Sequence, residues 1–230
     1  MTTCPVPIAL DDRWGSGANN PLDEAQNACQ IAAMAEVVDI MQERKELPLF
    51  LERDNLVGIE LGVAGGWYSK RLNESGLFSQ LYGVDVYGDR HDTTEYIAAL
   101  KNVGLGVPYW LLRMTFEEAL DLFPDEHFDY VYIDGYAGNG EERGKTIFDW
   151  ARKVKVGGMI AGHDYHKKWP LVQTSVNTYS ELVDQPIMRT ALSKSRDVQD
   201  KFPSWALFKE TAEVPDYPDS LRKLPRVMRG

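Results

Sequence analysis

The sequence predicts an α/β fold: one seven-stranded, mostly parallel sheet with helices on both faces and an antiparallel hairpin at its C-terminal end. First, short apolar segments alternate with segments whose apolar residues recur at helical spacing, which is typical of parallel strands joined by crossover helices. Second, three of the apolar segments end in an acid, namely Glu60, Asp85 and Asp134. Third, two β-patterned segments, 187–192 and 205–208, are separated by a polar loop rather than by a helix.

Composition narrows the class of protein. The 230 residues suffice for one α/β domain but not for two large ones. A formal charge of -10 argues against nucleic-acid binding, which needs a basic face. The two cysteines, Cys4 and Cys29, lack metal-ligand spacing and suggest no disulfide framework.

Targeting signals are not apparent. The first residues lack a basic region followed by an apolar run, so we predict no signal peptide. Because no window approaches ~18 continuous apolar residues, we predict no membrane span. The expectation is a soluble, cytoplasmic protein without a membrane or nucleic-acid partner.

Domain organisation is simple. Residues 1–21 are rich in Pro, Gly, Asn and Asp and predict an irregular N-terminal arm, which is either a mobile terminus or a flap or dimer contact. Residues 22–209 form the single domain, beginning with a predicted helix over 22–45 and an apolar link over 47–51. Residues 210–230 contain three prolines and predict an irregular tail. We expect a homodimer that uses the apolar, Trp-bearing arm.

The chain is organised around residues 56–68, an apolar strand followed by a glycine turn and a helix. Gly62, Gly65 and Gly66 permit a tight turn and close approach of a ligand to the backbone, and the first N–H groups of the helix face that ligand. A dinucleotide site requires G-x-G-x-x-G. Ala64 and Trp67 occupy the second and third glycine positions, so the dinucleotide interpretation fails.

The next elements follow in order. The helix after the turn, 68–77, leads to a strand that ends at Asp85, one helix and one strand after Glu60, as expected for a parallel neighbour. Asp85 would bind both hydroxyls of a ribose or cap a turn. A helix over 93–103 and a strand over 109–113 precede a short helix over 117–123, for which Thr115 is the predicted N-cap.

The second half of the sheet ends in further polar residues. A strand over 128–133 ends at Asp134. After a helix over 141–155 and a turn at Gly157 and Gly158, a strand over 159–162 ends at His163 and Asp164, and a helix over 169–182 follows. Because ligands bind at the carboxyl ends of parallel strands, these residues and the other strand-end acids predict one site.

The pattern E-x-G-x-x-x-G, carried by Glu60, Gly62 and Gly66, resembles the first motif of class I S-adenosylmethionine (SAM)-dependent methyltransferases, which have a Rossmann-like fold. The resemblance implies SAM as cofactor, with Glu60 facing its amino-acid part. It further implies an adenine near the corner formed by Thr115 and Phe116.

Residues 133–135 (I-D-G) and 157–165 (G-G-M-I-A-G-H-D-Y) are similar to the signatures of the macrocin- and novobiocin-type O-methyltransferases. This subgroup methylates sugar or phenolic hydroxyls and gathers a divalent cation such as Mg beside the methyl donor. Carried over by position, the ligands are Asp134, His163 and Asp164, with Asp134 also beside SAM. His163 stands where those enzymes have a second aspartate. Because Mg and Mn prefer oxygen ligands, a histidine suits them less well than an aspartate.

The chemistry requires an aligned donor and removal of the acceptor's proton. His163, with an ordinary pKa of ~6.5, would be the base or a metal ligand, unless it is a surface loop histidine. Asp164 would orient a water, bind a cation or cap the next helix. The sequence thus predicts an O-methyltransferase acting on a small molecule.

Two alternatives come from other classes. One is an N-methyl or aminopropyl transferase, although residues 134–137 read D-G-Y-A and lack the N/D-P-P-Y/F motif of N-methyltransferases. The other is a catalytically silent protein that binds SAM or a nucleoside.

Overall fold

A single eight-stranded sheet dominates the computed structural model, which describes residues 35–88, 92–135, 142–192 and 201–224. The strands are short and mostly apolar, as buried parallel strands are. They are β1 Val37–Asp39, β2 Leu56–Leu61, β3 Phe78–Asp85, β4 Tyr109–Arg113, β5 Phe128–Ile133, β6 Val154–Gly162, β7 Ile187–Arg189 and β8 Trp205–Phe208.

Helices connect the parallel strands. They are a 3₁₀ helix Arg44–Leu51, α1 Trp67–Glu74, α2 Thr93–Val103, α3 Phe116–Leu120, α4 Lys145–Ala151, α5 Pro170–Val183 and α6 Asp219–Arg222. Asp92 caps α2 by accepting a hydrogen bond from Thr94 N at 2.7 Å. Thr115 caps α3 as predicted, since its Oγ1 accepts from Glu118 N. Within the described ranges, none of these helices is long and apolar enough to cross a bilayer.

The strand order is β1-β7-β8-β6-β5-β2-β3-β4. Strand β8 runs antiparallel to β6 and β7, and the other neighbours are parallel. The prediction of a mostly parallel sheet with a C-terminal antiparallel hairpin is therefore confirmed. The sheet has one strand more than predicted, because β1 adds to the outer edge of β7.

Both faces of the sheet are covered by apolar packing. In β5 every side chain is buried, and alternate residues point to opposite faces. Val131 and Ile133 pack in one cluster with Trp150 of α4, whereas Tyr130 and Tyr132 pack in a second cluster. The strand that carries Asp134 at its end is thus held rigidly from both sides.

The predicted helix over 22–45 is wrong where the structure describes it. Residues Val37–Asp39 form β1, with Val37 opposite Ile187 of β7. β-branched residues suit a strand once a sheet edge offers hydrogen bonds, so tertiary pairing outweighs the helical spacing. The predicted apolar link over 47–51 belongs to the 3₁₀ helix. Residues 22–34, the arm and its predicted dimer contact lie outside the described residues.

The predicted helix over 141–155 is too long. Helix α4 ends at Ala151 and β6 begins at Val154. Gly157 and Gly158 lie inside β6 rather than in a turn before it. The pairing of β6 with β5 is irregular between Phe128 and Tyr130, and the positive φ of 74° at Gly157 lets the strand continue through this irregularity.

The predicted C-terminal tail is partly ordered against the core. It contains the single helical turn α6, whose Leu221 is buried in the main cluster. Tyr217 donates a hydrogen bond from its hydroxyl to the carbonyl of Arg143 at 3.0 Å. Pro215 and Pro218 prevent the helix from starting earlier, but they do not prevent packing.

Candidate functional site

The strand-end acids meet at the carboxyl edge of the sheet. Strands β3, β2, β5 and β6 are successive neighbours and are parallel. The ladder continues beyond the strands, since Asp134 N donates to Leu61 O at 2.7 Å and His163 N donates to Ile133 O at 3.0 Å. Glu60, Asp134 and His163 therefore lie along one edge, as the sequence predicted.

Two glycines of the turn are required by its geometry. Gly62 has a φ of 91°, and a Cβ there would lie 2.7 Å from the carbonyl carbon of Asp134. Gly66 has a φ of 77°, and a Cβ there would lie 2.9 Å from the Cα of Ala99 in α2. A side chain at either position would break the contact. Gly62 thereby brings the glycine turn directly against the loop that carries Asp134.

Asp85 holds the glycine turn in place. Its Oδ2 accepts hydrogen bonds from Val63 N at 3.0 Å and Ala64 N at 2.9 Å, and its Oδ1 accepts from Tyr87 N at 3.1 Å. Ala64 has a left-handed φ of 47°, which is unfavourable for alanine. The acid at the end of β3 stabilises this turn, and its predicted contact with a ribose stays a prediction.

Sequence reasoning missed two further supports of the turn. The Tyr87 hydroxyl donates to Ala64 O at 2.8 Å, and Asn102 Nδ2 donates to Gly65 O at 2.7 Å. Tyr87 lies two residues after Asp85 and was a weak signal. Asn102 lies in α2 and had none, because only the packing of α2 on the turn brings it there.

Glu60 lies beneath the turn and is fully buried. The Ser69 hydroxyl of α1 donates to Glu60 Oε2 and also lies 2.9 Å from the Tyr109 hydroxyl of β4. Burial raises the pKa of Glu60 to about 8, an effect that the Ser69 hydrogen bond only partly opposes. Neither Ser69 nor Tyr109 was singled out by sequence reasoning.

Thr115 and Phe116, which were predicted to lie near the adenine, make structural contacts. Thr115 uses its hydroxyl to cap α3. Phe116 is 2% exposed and packs in the main core cluster, with its ring 3.9 Å from a Cβ built on Gly135. These contacts place the pair close to the loop after β5, and their role at adenine stays a prediction.

The second half of the site is a cluster of three residues after β5 and β6. His163 Nδ1 lies 3.2 Å from Asp164 Oδ1 and 3.6 Å from Asp134 Oδ2. His163 and Asp164 are buried, so the interpretation of His163 as a surface histidine is wrong. Burial, reinforced by the charge of Asp134, raises the pKa of Asp164 to about 7. The loop 136–140 lies outside the described residues.

Arg44 joins this cluster from the 3₁₀ helix. Its Nη1 lies 3.6 Å from Asp134 Oδ2, and its guanidinium lies over the Tyr68 ring, 4.6 Å from the centroid. The Arg44 carbonyl accepts a hydrogen bond from the Tyr68 hydroxyl at 3.0 Å. Sequence reasoning missed Arg44, because a residue in an N-terminal segment gives no local signal of its distance to Asp134.

The cluster offers a cation three ligands. One donor atom each from Asp134, His163 and Asp164 lies within 4.8 Å of the others. Mg²⁺ requires octahedral oxygen ligands at ~2.0–2.1 Å, but one donor is an imidazole nitrogen. The Asp134 oxygen also faces the guanidinium of Arg44. The residues present therefore do not fit the magnesium ion that the resemblance implied.

Comparison by sequence identifies a domain type. Residues 57–165 match a family described as a methyltransferase domain. No curated protein matches the chain significantly. The matched segment extends from β2 to Tyr165 and includes every predicted site residue, whereas Arg44 lies outside it.

Comparison by structure supports the same fold. Spermidine synthase in complex with the transition-state analogue AdoDATO superposes with a TM-score of 0.55 at 12% identity, covering 80% of this chain and 65% of that one. N-methyltransferase NodS from Bradyrhizobium japonicum superposes with a TM-score of 0.53 at 14% identity, covering 73% of this chain and 95% of that one. An O-methyltransferase from Bacillus cereus in complex with SAH superposes with a TM-score of 0.52 at 19% identity, covering 82% of this chain and 89% of that one. The sequence match over residues 57–165 and the structural similarities agree on the fold of a methyltransferase domain.

Proposed function

We propose that this chain, with its methyltransferase domain over residues 57–165, transfers a methyl group from SAM to a hydroxyl of a small molecule such as a sugar or phenol. One observation carries the proposal: Gly62 of the glycine turn packs directly on the loop of Asp134, and Asp134 lies 3.6 Å from His163. A methyl donor held at the turn would therefore lie beside a buried histidine.

The glycine turn would bind the cofactor. The first N–H groups of α1 have no partner within the helix and would face a ligand bound at the turn. Asp134 suits the ammonium of the amino-acid part, and Asp85 suits the ribose hydroxyls. Because burial raises the pKa of Glu60 to about 8, Glu60 would meet that ammonium as a neutral acid that accepts a hydrogen bond. Because three backbone N–H groups already fix the Asp85 carboxylate, the turn is organised before the cofactor arrives.

His163 would act as general base. The acceptor hydroxyl gives its proton to His163, the new O–CH₃ bond forms, and the S–CH₃ bond breaks to release SAH, the demethylated form of SAM. Two carboxylates lie 3.2 Å and 3.6 Å from Nδ1, and they stabilise the imidazolium that results. A divalent cation bound here would supply a Lewis acid that lowers the acceptor's pKa. In this chain Asp134, His163 and Asp164 would hold one only in competition with Arg44.

Calorimetric titration tests the cofactor. SAM and SAH should bind with micromolar affinity and NAD should not. Binding of NAD, or of neither SAM nor SAH, would overturn the proposal. Binding without turnover of any acceptor would favour the silent binding protein.

A methyl-transfer screen tests the acceptor. Sugars and phenols should be methylated, and amines should not. Methylation of amines alone would instead establish an N-methyltransferase, against which the absence of the N/D-P-P-Y/F motif argues.

A further inference from the structure

Arg44 introduces a positive charge among the acids of the site. It lies on the 3₁₀ helix, outside the matched residues 57–165, and its side chain is 5% exposed. Its charge lowers the pKa values of Glu60 and Asp164, both of which burial raises. A buried arginine of this kind requires an anionic partner, and the Asp134 carboxylate lies 3.6 Å from its Nη1.

Local structure holds the guanidinium where it is. A capping box between Glu43 and Glu46 starts the 3₁₀ helix, and Leu47 is fully buried below it. The Tyr68 hydroxyl bonds the Arg44 carbonyl while its ring supports the guanidinium by a cation–π contact. The positive charge is therefore preorganised before any ligand binds.

The same carboxylate oxygen serves two groups. Asp134 Oδ2 lies 3.6 Å from Arg44 Nη1 and 3.6 Å from His163 Nδ1. A divalent cation bound by Asp134, His163 and Asp164 would take this oxygen from Arg44 and would then lie beside a fixed guanidinium. Like charges at short range in a buried site repel strongly, so Arg44 opposes metal binding.

We propose that Arg44 is a positioning residue that supplies the positive charge of this site in place of a divalent cation. It orients the Asp134 carboxylate beside His163, which receives the acceptor's proton. Turnover then needs no added metal. The turnover part of this inference rests on the proposed methyl transfer, but the opposition of Arg44 to metal binding does not.

Manganese alone is the first probe. Arg44→Met removes the charge and keeps the side-chain length, and it should bind Mn²⁺ at least tenfold more tightly than the wild type by electron paramagnetic resonance titration. Arg44→Lys should bind as weakly as the wild type. Asp134→Asn added to Arg44→Met should remove the gain, which locates the ion. Equal Mn²⁺ affinity in the wild type and Arg44→Met would overturn the proposal.

A neighbouring residue provides the matched control. Lys45→Met removes a charge from the next position, whose side chain is half-exposed and pairs with Glu43. It should leave Mn²⁺ affinity and turnover unchanged. If Arg44→Met fails to fold, Arg44→Gln keeps hydrogen-bonding capacity without charge and gives the same comparison.

Chelation tests the consequence for turnover. Treatment with EDTA should leave wild-type kcat unchanged. Arg44→Met should lower kcat by at least tenfold with SAM affinity within about twofold, and Arg44→Lys should recover part of kcat. Loss of wild-type activity on chelation would overturn the inference. If no acceptor is methylated at all, the proposed function fails, and the Mn²⁺ comparison still decides the role of Arg44.

Discussion

The two halves of the sheet edge hold their acids in different ways. Beside the glycine turn, Asp85 accepts three backbone hydrogen bonds of 2.9–3.1 Å. After β5 and β6, the Asp134 and Asp164 carboxylates lie 3.6 Å and 3.2 Å from His163 Nδ1. Main-chain groups of neighbouring residues organise the first half, whereas side chains from separate elements balance charge in the second.

Under the proposed function, the first half would bind the cofactor and the second half would carry out the chemistry. Backbone N–H groups cannot change protonation or move away, so the Asp85 half keeps one geometry. The electrostatics of the His163 half depend on which side chain carries the proton and on the positive charge of Arg44. Such a site can change its charge during a reaction. Substitutions in the first half should alter cofactor affinity and stability, whereas those in the second should alter turnover.

The largest expected effect concerns His163. His163→Ala should lower turnover by about 10²–10⁴-fold, the contribution of a general base, and leave SAM affinity nearly unchanged. Steady-state kinetics and calorimetry measure the two quantities. His166→Ala, in the same loop but with its ring against Phe202, is the control and should retain activity. Full activity of His163→Ala would show that another group activates the acceptor.

The second prediction concerns pH and Glu60. Its pKa rises from 4.5 to about 8 in the folded protein, so the unfolded state releases the proton first. The free energy of unfolding should fall as pH rises from about 4.5 to 8, by at most about 1.4 kcal/mol per pH unit from this group, and level off above.

Glu60→Gln tests that prediction, because glutamine can still accept the Ser69 hydrogen bond but cannot titrate. Urea unfolding at several pH values should give a shallower slope for this variant between pH 5 and 8. Asp164 and Glu142, whose pKa values burial also raises to about 7, contribute a slope of the same sign in both proteins. Identical slopes would contradict an elevated pKa at Glu60.

The third prediction concerns Asp85. Asp85→Ala removes three charge-assisted hydrogen bonds from the glycine turn and should weaken SAM binding by roughly 1–3 kcal/mol, with a lower Tm. Asp92→Ala is the control: it loses backbone hydrogen bonds at the start of α2 and should lower Tm without changing SAM affinity. Unchanged affinity in Asp85→Ala would remove Asp85 from the cofactor site.

The smallest effect is expected at Tyr87. Tyr87→Phe removes only the hydrogen bond to Ala64 O and should cost about 0.5–1.5 kcal/mol of stability, with a SAM affinity several-fold weaker. Tyr82→Phe, on β3 with its ring against Phe123, should leave SAM affinity unchanged. Equal affinities for the two variants and the wild type would show that the turn does not need Tyr87.

Much of the fold was predictable because its signals are local. The helix over 93–103 agrees with α2 at both ends, since an N-cap and a glycine delimit it. Strand β1 was not predictable, because its apolar spacing fits a helix. Only pairing with the edge of β7 makes this segment a strand. Likewise, the irregular pairing of β5 with β6 let the strand pass through Gly157 and Gly158, which alone indicate a turn.

By itself, the sequence determined the glycine turn, the acids at the strand ends and their order along the chain, because apolar runs, glycines and strand-end residues act over a few positions. Only the tertiary structure decided that Arg44 reaches Asp134 and that Glu60 is buried deeply enough to hold a proton. Tertiary structure also decided that Tyr87 and Asn102 bond to the glycine turn. Contacts between separate elements depend on how helices pack on the sheet, and charge depends on burial, so neither leaves a pattern in neighbouring residues.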